Sequence, residues 1–199
     1  MEKSSGFTLV ELMLAVTLFS VAIVISVSAL LGVIEVQRKS SALQRVENNV
    51  NLAVKAMMID IAVGDFFYCG TSVPAGPIGS ITPQSCWSSG SQLLVFRNVR
   101  NEKTVYRLDN GVIRRCVDDA GSGACDDPII AANYLQLTSA QVNIDPTITS
   151  FYVDGAEGTA SGDLEQPRVQ FVLRASASVS GETETMNIQT TVSQLTPDF

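Results

Sequence analysis

One stretch of this chain restricts its possible folds more than any other. From Leu12 to Ile34, LMLAVTLFSVAIVISVSALLGVI, no residue carries a charge. As an α-helix this run would be roughly 35 Å long, enough to cross the ~30 Å hydrocarbon core of a bilayer. Its β-branched residues do not argue against helix, because a single span in lipid can satisfy its backbone only as a helix. A cleaved secretory signal would have an apolar region of about 7–15 residues ending at a small-residue site. Here the run is longer, and a helical pattern continues past its aqueous end at Glu35, Gln37, Arg38 and Lys39. The expectation is a retained membrane anchor.

Composition narrows the functional classes. Hydrophobic residues make up 46% of the 199 and charged residues 17%, below the roughly 25% charge of an ordinary soluble domain, so the chain is neither disordered nor low in complexity. There is no His, which removes the commonest general base and metal ligand. No Gly-rich phosphate loop is present, and no Ser or Cys has a visible base. An enzyme is not expected, nor is a cofactor. The net charge of −7 argues against nonspecific nucleic-acid binding as the main task, since that affinity comes from neutralised phosphates.

The odd residue is Glu11, a carboxylate inside the apolar run Phe7-Thr8-Leu9-Val10-Glu11-Leu12-Met13-Leu14. A charge near a bilayer centre costs about 2.5–3.5 kcal/mol on insertion scales, and less near an end. Two readings of Glu11 stand side by side: a carboxylate that reaches the interface from a helix end, and one that meets a cation inside the membrane. The surrounding segment, Lys3-Ser4-Ser5-Gly6-Phe7-Thr8-Leu9-Val10-Glu11-Leu12, resembles the class III leader of type IV pilins and of the pseudopilins of type II secretion. The resemblance implies cleavage by a prepilin peptidase between Gly6 and Phe7, N-methylation of Phe7, and Glu11 as fifth residue of the mature chain. It also implies that Glu11 pairs with the Phe7 ammonium of a neighbouring subunit during assembly. Two departures are visible: Glu2 beside Lys3 leaves the leader barely basic, and Ser28 stands where many major pilins carry Pro.

Beyond the anchor, Leu43, Val46, Val50, Val54, Met57 and Ile61 form one apolar stripe, the mark of an amphipathic helix. It is expected to pack on a sheet of the same subunit, with a partner-helix seam as the second reading. The helix is expected from near Phe7 to near Val63, with Gly64 as its stop. Residues 70–91, rich in Gly, Ser and Pro, read as a long surface loop. Strand signals follow at 93–96, 104–108, 112–117, 142–144, 151–153, 169–175 and 186–192, with Asp109-Asn110-Gly111 as a hairpin turn. The fold class is α+β: a long N-terminal helix, transmembrane in its first half and amphipathic in its second, packed on an antiparallel β-sheet in the manner of pilins. The expected division is leader 1–6, transmembrane helix 7–34 and extracytoplasmic domain 35–199. YRLDNGVIRR, Tyr106–Arg115, and QTTVSQ, Gln189–Gln194, resemble the central hairpin and last strand of J-type minor pseudopilins and W-type minor pilins.

Four Cys occur without a CxxC, so a zinc or redox motif is not expected, nor is a metal. The resemblance places the domain outside the cytoplasmic membrane, where disulfides form. Cys69–Cys86 and Cys116–Cys125 are the expected pairs, each closing a modest loop; the sequence leaves the two other pairings open. Asp118, Asp119, Asp126 and Asp127 crowd the second Cys loop, and Asp154, Glu157, Asp163 and Glu165 form another acidic group. Both read as solvated loops, with Ca²⁺ as the alternative for the first. Arg97, Arg100, Lys103, Arg107, Arg114 and Arg115 outnumber Glu102 and Asp109 in one hairpin region. Strand alternation puts Val105 and Arg107 on the solvent side; contact with DNA is the alternative.

The functional expectation is a minor pilin or pseudopilin of a type IV pilus or type II secretion pseudopilus, helping to initiate assembly or standing near the tip. Its partners would be other pilin or pseudopilin subunits, the prepilin peptidase, the inner-membrane assembly platform and the membrane itself. The alternative is a membrane-anchored tip module that binds DNA, a surface or a secreted substrate.

Overall fold

A computed structural model describes residues 8–119, 122–126, 133–157, 165–179 and 182–195. Helix α1 spans Leu9–Ala62. The strands are β1 (Asp65–Cys69), β2 (Leu93–Arg97), β3 (Lys103–Asp109), β4 (Val112–Asp118), β5 (Leu135–Gln136), β6 (Asn143–Ile144), β7 (Ser150–Asp154), β8 (Arg168–Val179) and β9 (Glu182–Ser193). A 3₁₀ turn covers Ile78–Ser80. The chain divides into two compact units, one ending at Ser41 and one beginning at Ala42.

The first unit is the apolar part of α1. It is the one helix of the described residues long and apolar enough to cross a membrane. Leu9 through Ile34 leave their large side chains exposed. The hydroxyls in this run turn back onto their own helix: Thr17 Oγ1 donates to Leu14 O, Ser20 Oγ to Val16 O, Ser26 Oγ to Ala22 O and Ser28 Oγ to Val24 O, all at 2.8–2.9 Å. In lipid these bonds leave no hydroxyl hydrogen without an acceptor.

In the second unit, the rest of α1 packs on antiparallel sheet, an α+β arrangement consistent with a pilin-like fold. Ala42, Val46, Val50, Ala53, Val54, Met57 and Ile61 are the buried residues of the helix. Burying a Val, Ile or Met side chain contributes about 1.5–3 kcal/mol. Leu43, expected in this stripe, is instead 43% exposed. Ala42, four residues before Val46, takes the inward position, and Leu43 is rotated one step off that line. The helix is also held by polar contacts. Tyr106 Oη donates to Asp60 Oδ2 at 2.7 Å, Arg115 reaches the same oxygen at 2.9 Å, and Ser139 N–H donates to Asn49 Oδ1 at 2.8 Å. Burial, then the hydrogen bond to Asp60, push the Tyr106 phenol well above its ordinary pKa.

Five strands run β1-β2-β3-β4-β5 in one sheet; in the other, β6 and β7 flank one side of β8 and β9 pairs with its other side. All of these pairings are antiparallel. The main core joins α1 to both sheets through Leu94, Phe96, Tyr106, Phe151, Phe171 and Leu173. The β3–β4 hairpin turns at Asn110 and Gly111, both at positive φ, as a tight two-residue turn requires.

Two sequence expectations change here. The Val105 side of β3 is not solvated. Val105 is fully buried with Ile78, Ile81, Leu93, Val95, Cys116, Cys125 and Tyr134 in a second cluster, so apolar side chains cover both faces of this sheet. Gly64 follows the helix end without left-handed backbone, and it is lack of space that calls for glycine there. A Cβ there would lie 2.5 Å from the Phe96 ring, and that ring is fully buried between Phe67 and Tyr106.

Candidate functional site

The candidate site residues lie at the start of α1 and around the two Cys loops. Gly6 and Phe7 fall outside the described residues. Thr8 precedes the first helical residue, and its Oγ1 accepts the Glu11 N–H at 3.3 Å. Thr8-Leu9-Val10-Glu11 therefore reads as the T-x-x-E signature of a helix N-terminus, a signal present in the sequence beside the leader pattern. Glu11 stands in the first turn, where the helix dipole favours a carboxylate. Its side chain is exposed, and no described Lys or Arg pairs with it.

The structure joins Cys69 to Cys86 and Cys116 to Cys125, with Cα–Cα distances of 5.7 and 5.8 Å. The first bridge ties the 70–91 loop to β1. Cys69 N–H donates to Gln84 O and Gln84 N–H to Phe67 O, continuing the tie in backbone. The second bridge sits in the buried cluster under that loop.

The acidic group at the second bridge is solvated only in part: Asp119 is exposed, but Asp118 and Asp126 are engaged. Asp118 is buried, and the Lys103 ammonium lies 3.4 Å from its Oδ2; both side chains are fully enclosed. Lys103 also pairs with Asp126 and donates to Gly76 O at 3.0 Å. Asp118 further accepts from Ser122 N at 2.9 Å, Ser122 Oγ at 2.6 Å and Gly123 N at 3.0 Å. Burial works against the charged carboxylate, but the Ser122 hydroxyl, Lys103 and the Gly123 N–H outweigh it and lower its pKa. A lysine thus fills the position in which Ca²⁺ was the alternative, and no cluster suited to a metal occurs among the described residues. Asp127 and Asp163 lie outside them.

The second acidic group is engaged too. Glu157 accepts from Ser85 N at 2.9 Å and from Ser85 Oγ at 2.5 Å. Partial burial would raise its pKa, yet the Ser85 hydrogen bonds bring it below the ordinary value. Asp154 pairs with Arg168 at 2.6 Å.

The basic hairpin is largely neutralised. Arg97 holds Asp65 through two hydrogen bonds, one of 2.6 Å, and stacks on Phe66 at 4.0 Å. Arg114 pairs with Asp109 at 3.4 Å and Arg115 with Asp60 at 2.9 Å. With Lys103 buried, only Arg100 and Arg107 of the six make no ion pair among the described residues. Four of the six therefore have their charge answered inside the fold. Arg107 lines a cleft of about 600 Å³ with Tyr68, Ser72, Gln84 and Ser89.

Residues 1–33 match the family model for the prokaryotic N-terminal methylation motif. No curated protein and no solved structure matches the chain.

Proposed function

We propose that this chain is a minor pilin or pseudopilin, a structural subunit of a type IV pilus or type II secretion pseudopilus. In this reading a prepilin peptidase cuts between Gly6 and Phe7 and Phe7 is N-methylated. Residues 7–34 hold the subunit in the cytoplasmic membrane as a single pass, with 35–199 on the far side. The assembly platform then moves it into the filament, where it helps initiate assembly or stands near the tip. The observation that carries the reading is the methylation motif over residues 1–33, which contains Glu11 at the head of a 54-residue helix. The motif supports a pilin-like or pseudopilin-like subunit. The hairpin Tyr106–Arg115 and the strand Gln189–Gln194 support the J-type and W-type minor subunits within that superfamily.

The mechanism is helix stacking with a charge register. The Glu11 carboxylate, without a described partner in its own chain, meets the Phe7 ammonium of a neighbour once both leave the lipid headgroups. Removing one member of such a buried pair costs about 3–5 kcal/mol, because the other charge is stranded. The helix also carries a second apolar line beyond the buried one, with Leu52 70% and Ile59 66% exposed, which suits packing between subunits.

Glu11→Leu tests the reading, with Thr8→Ala as control. Thr8→Ala removes the capping contact, worth about 1 kcal/mol, and leaves the carboxylate. Glu11→Leu is expected to abolish incorporation into filaments while Thr8→Ala reduces it little. Equal incorporation of Glu11→Leu and wild type refutes the register role. A tip binding module is the second reading, favoured by the Arg107 cleft. Capture of an external ligand alone by residues 35–199, without other pilin-like subunits, would support it.

A further inference from the structure

The strand β9 has a feature that assembly through α1 does not use. Phe151 in β7 exchanges both backbone hydrogen bonds with Ser91, at 2.7 and 2.8 Å. Its backbone therefore faces away from β8, and its neighbours Ser150 and Tyr152 bond β8 at Val172 and Gln170. Asp145 N–H donating to Arg174 O at 2.8 Å follows the same alternation. Even-numbered residues of β8 thus turn their N–H and C=O toward β6 and β7, and odd-numbered ones toward β9. Their partners in β9 are the even-numbered residues, among them Met186, Ile188 and Val192. The N–H and C=O groups of Thr183, Thr185, Asn187, Gln189, Thr191 and Ser193 face outward. No described residue gives them a backbone partner.

This edge is about 40 Å long at ~3.4 Å per residue. Exposed edges are usually protected by shortness, bulges, Pro or charged side chains. The other described edges follow that rule: β5 and β6 have two residues each, and β1 is broken by a bulge next to Phe66 at positive φ. β9 has twelve residues, pairs with β8 without a bulge and contains no Lys, Arg or Pro, and its two charges, Glu182 and Glu184, are confined to its first three positions, which leaves 185–193 uncharged. Its inward face is open at the rim as well: Met186 and Ile188 are only partly buried against the main core.

We propose that the outer edge of β9 binds an extended segment of another polypeptide, which adds a strand to this sheet. The occupant's chemistry follows from the edge. Alternate side chains must be apolar, to continue the core beside Met186 and Ile188. The others are small and polar, beside exposed Thr185, Asn187 and Gln189. A second copy of β9 lacks that pattern, because the positions in line with Met186 and Ile188 begin with Glu182 and Glu184. Two copies would also bring together chains that each carry a net charge of −7, and like-charge juxtaposition is unfavourable, so the donor is a different subunit of the assembly. The donor's identity rests on the proposed function; the free edge does not.

The test uses the full chain in its native membrane, with the photocrosslinker p-benzoylphenylalanine placed in turn at Thr185, Asn187 and Gln189. Expected are adducts on one extended segment of another polypeptide, moving along it in steps of two residues. Adducts on β9 of a second copy, adducts scattered over unrelated surfaces, or no adducts overturn the proposal. Asn187→Pro removes one outward N–H and no bond to β8, so it is compatible with the fold. It is expected to lower adduct yield from positions 185 and 189 about tenfold, the equivalent of roughly 1.4 kcal/mol; unchanged yield overturns the proposal. Filament incorporation without edge adducts refutes this inference alone. Strand-register adducts to a protein without a methylation-type N-terminus refute the filament reading alone.

Discussion

Lys103→Met should be among the most damaging single substitutions in the domain. The wild-type side chain is fully enclosed, with its ammonium against Asp118, Asp126 and Gly76 O. The variant keeps the aliphatic stem and removes the charge. Asp126 has 27% of its side chain exposed and turns to water at little cost. Asp118 has none exposed and stays buried as an unpaired carboxylate. Stranding one member of a buried pair costs about 3–5 kcal/mol. Three hydrogen bonds from Ser122 and Gly123 remain on Asp118, which places the cost near the lower end, about 3 kcal/mol. At ~2–4 °C per kcal/mol for a chain of this size, Tm falls by about 6–12 °C. The assay is thermal and urea unfolding of the unit beginning at Ala42, with both disulfides intact. Lys103→Met combined with Asp118→Asn removes the stranded charge and should recover at least about half of the loss. A single variant within about 1 kcal/mol of wild type, or a double variant no better than the single, refutes the buried-pair reasoning.

Gly64→Ala should cost about 1–3 kcal/mol by overpacking, since its Cβ would meet a Phe96 ring that has no room to move; an unchanged urea midpoint would show that the helix end can shift. Stability should also depend on pH in acid. Asp118 and Glu157 have folded pKa values below their ordinary ones, so their stabilisation is complete above the unfolded values of about 3.9 and 4.3 and is lost as pH falls through the folded values. Urea midpoints should be level from about pH 7 to 5 and fall below about pH 4; a rise on acidification contradicts the assignment.

Much of the fold was legible because its periods are clean. The apolar stripe of α1 from Val46 to Ile61 and the β3–β4 hairpin each repeat without interruption, and the hairpin is marked by Asn110-Gly111. β1 was not legible, since Phe66 at positive φ and a bulge break its alternation. Nor was the second cluster, because Ile78 and Ile81 are scattered through a Gly/Pro-rich loop and only the three-dimensional path brings them under β3. Lys103, Asp118 and Asp126 look like surface charges one at a time; their meeting depends on the Cys116–Cys125 turn, which local sequence does not encode. At the N-terminus the methylation motif was legible as a linear pattern that an enzyme must read. The capping role of Thr8 was equally visible in T-x-x-E but was hidden behind it.

The most direct test of the central claim is the intact mass of the chain extracted from its native membrane. The expected species lacks residues 1–6, begins at Phe7, carries one added methyl group and shows both disulfides closed. A chain that retains Gly6, or that begins at an unmethylated residue beyond the apolar run, contradicts the claim.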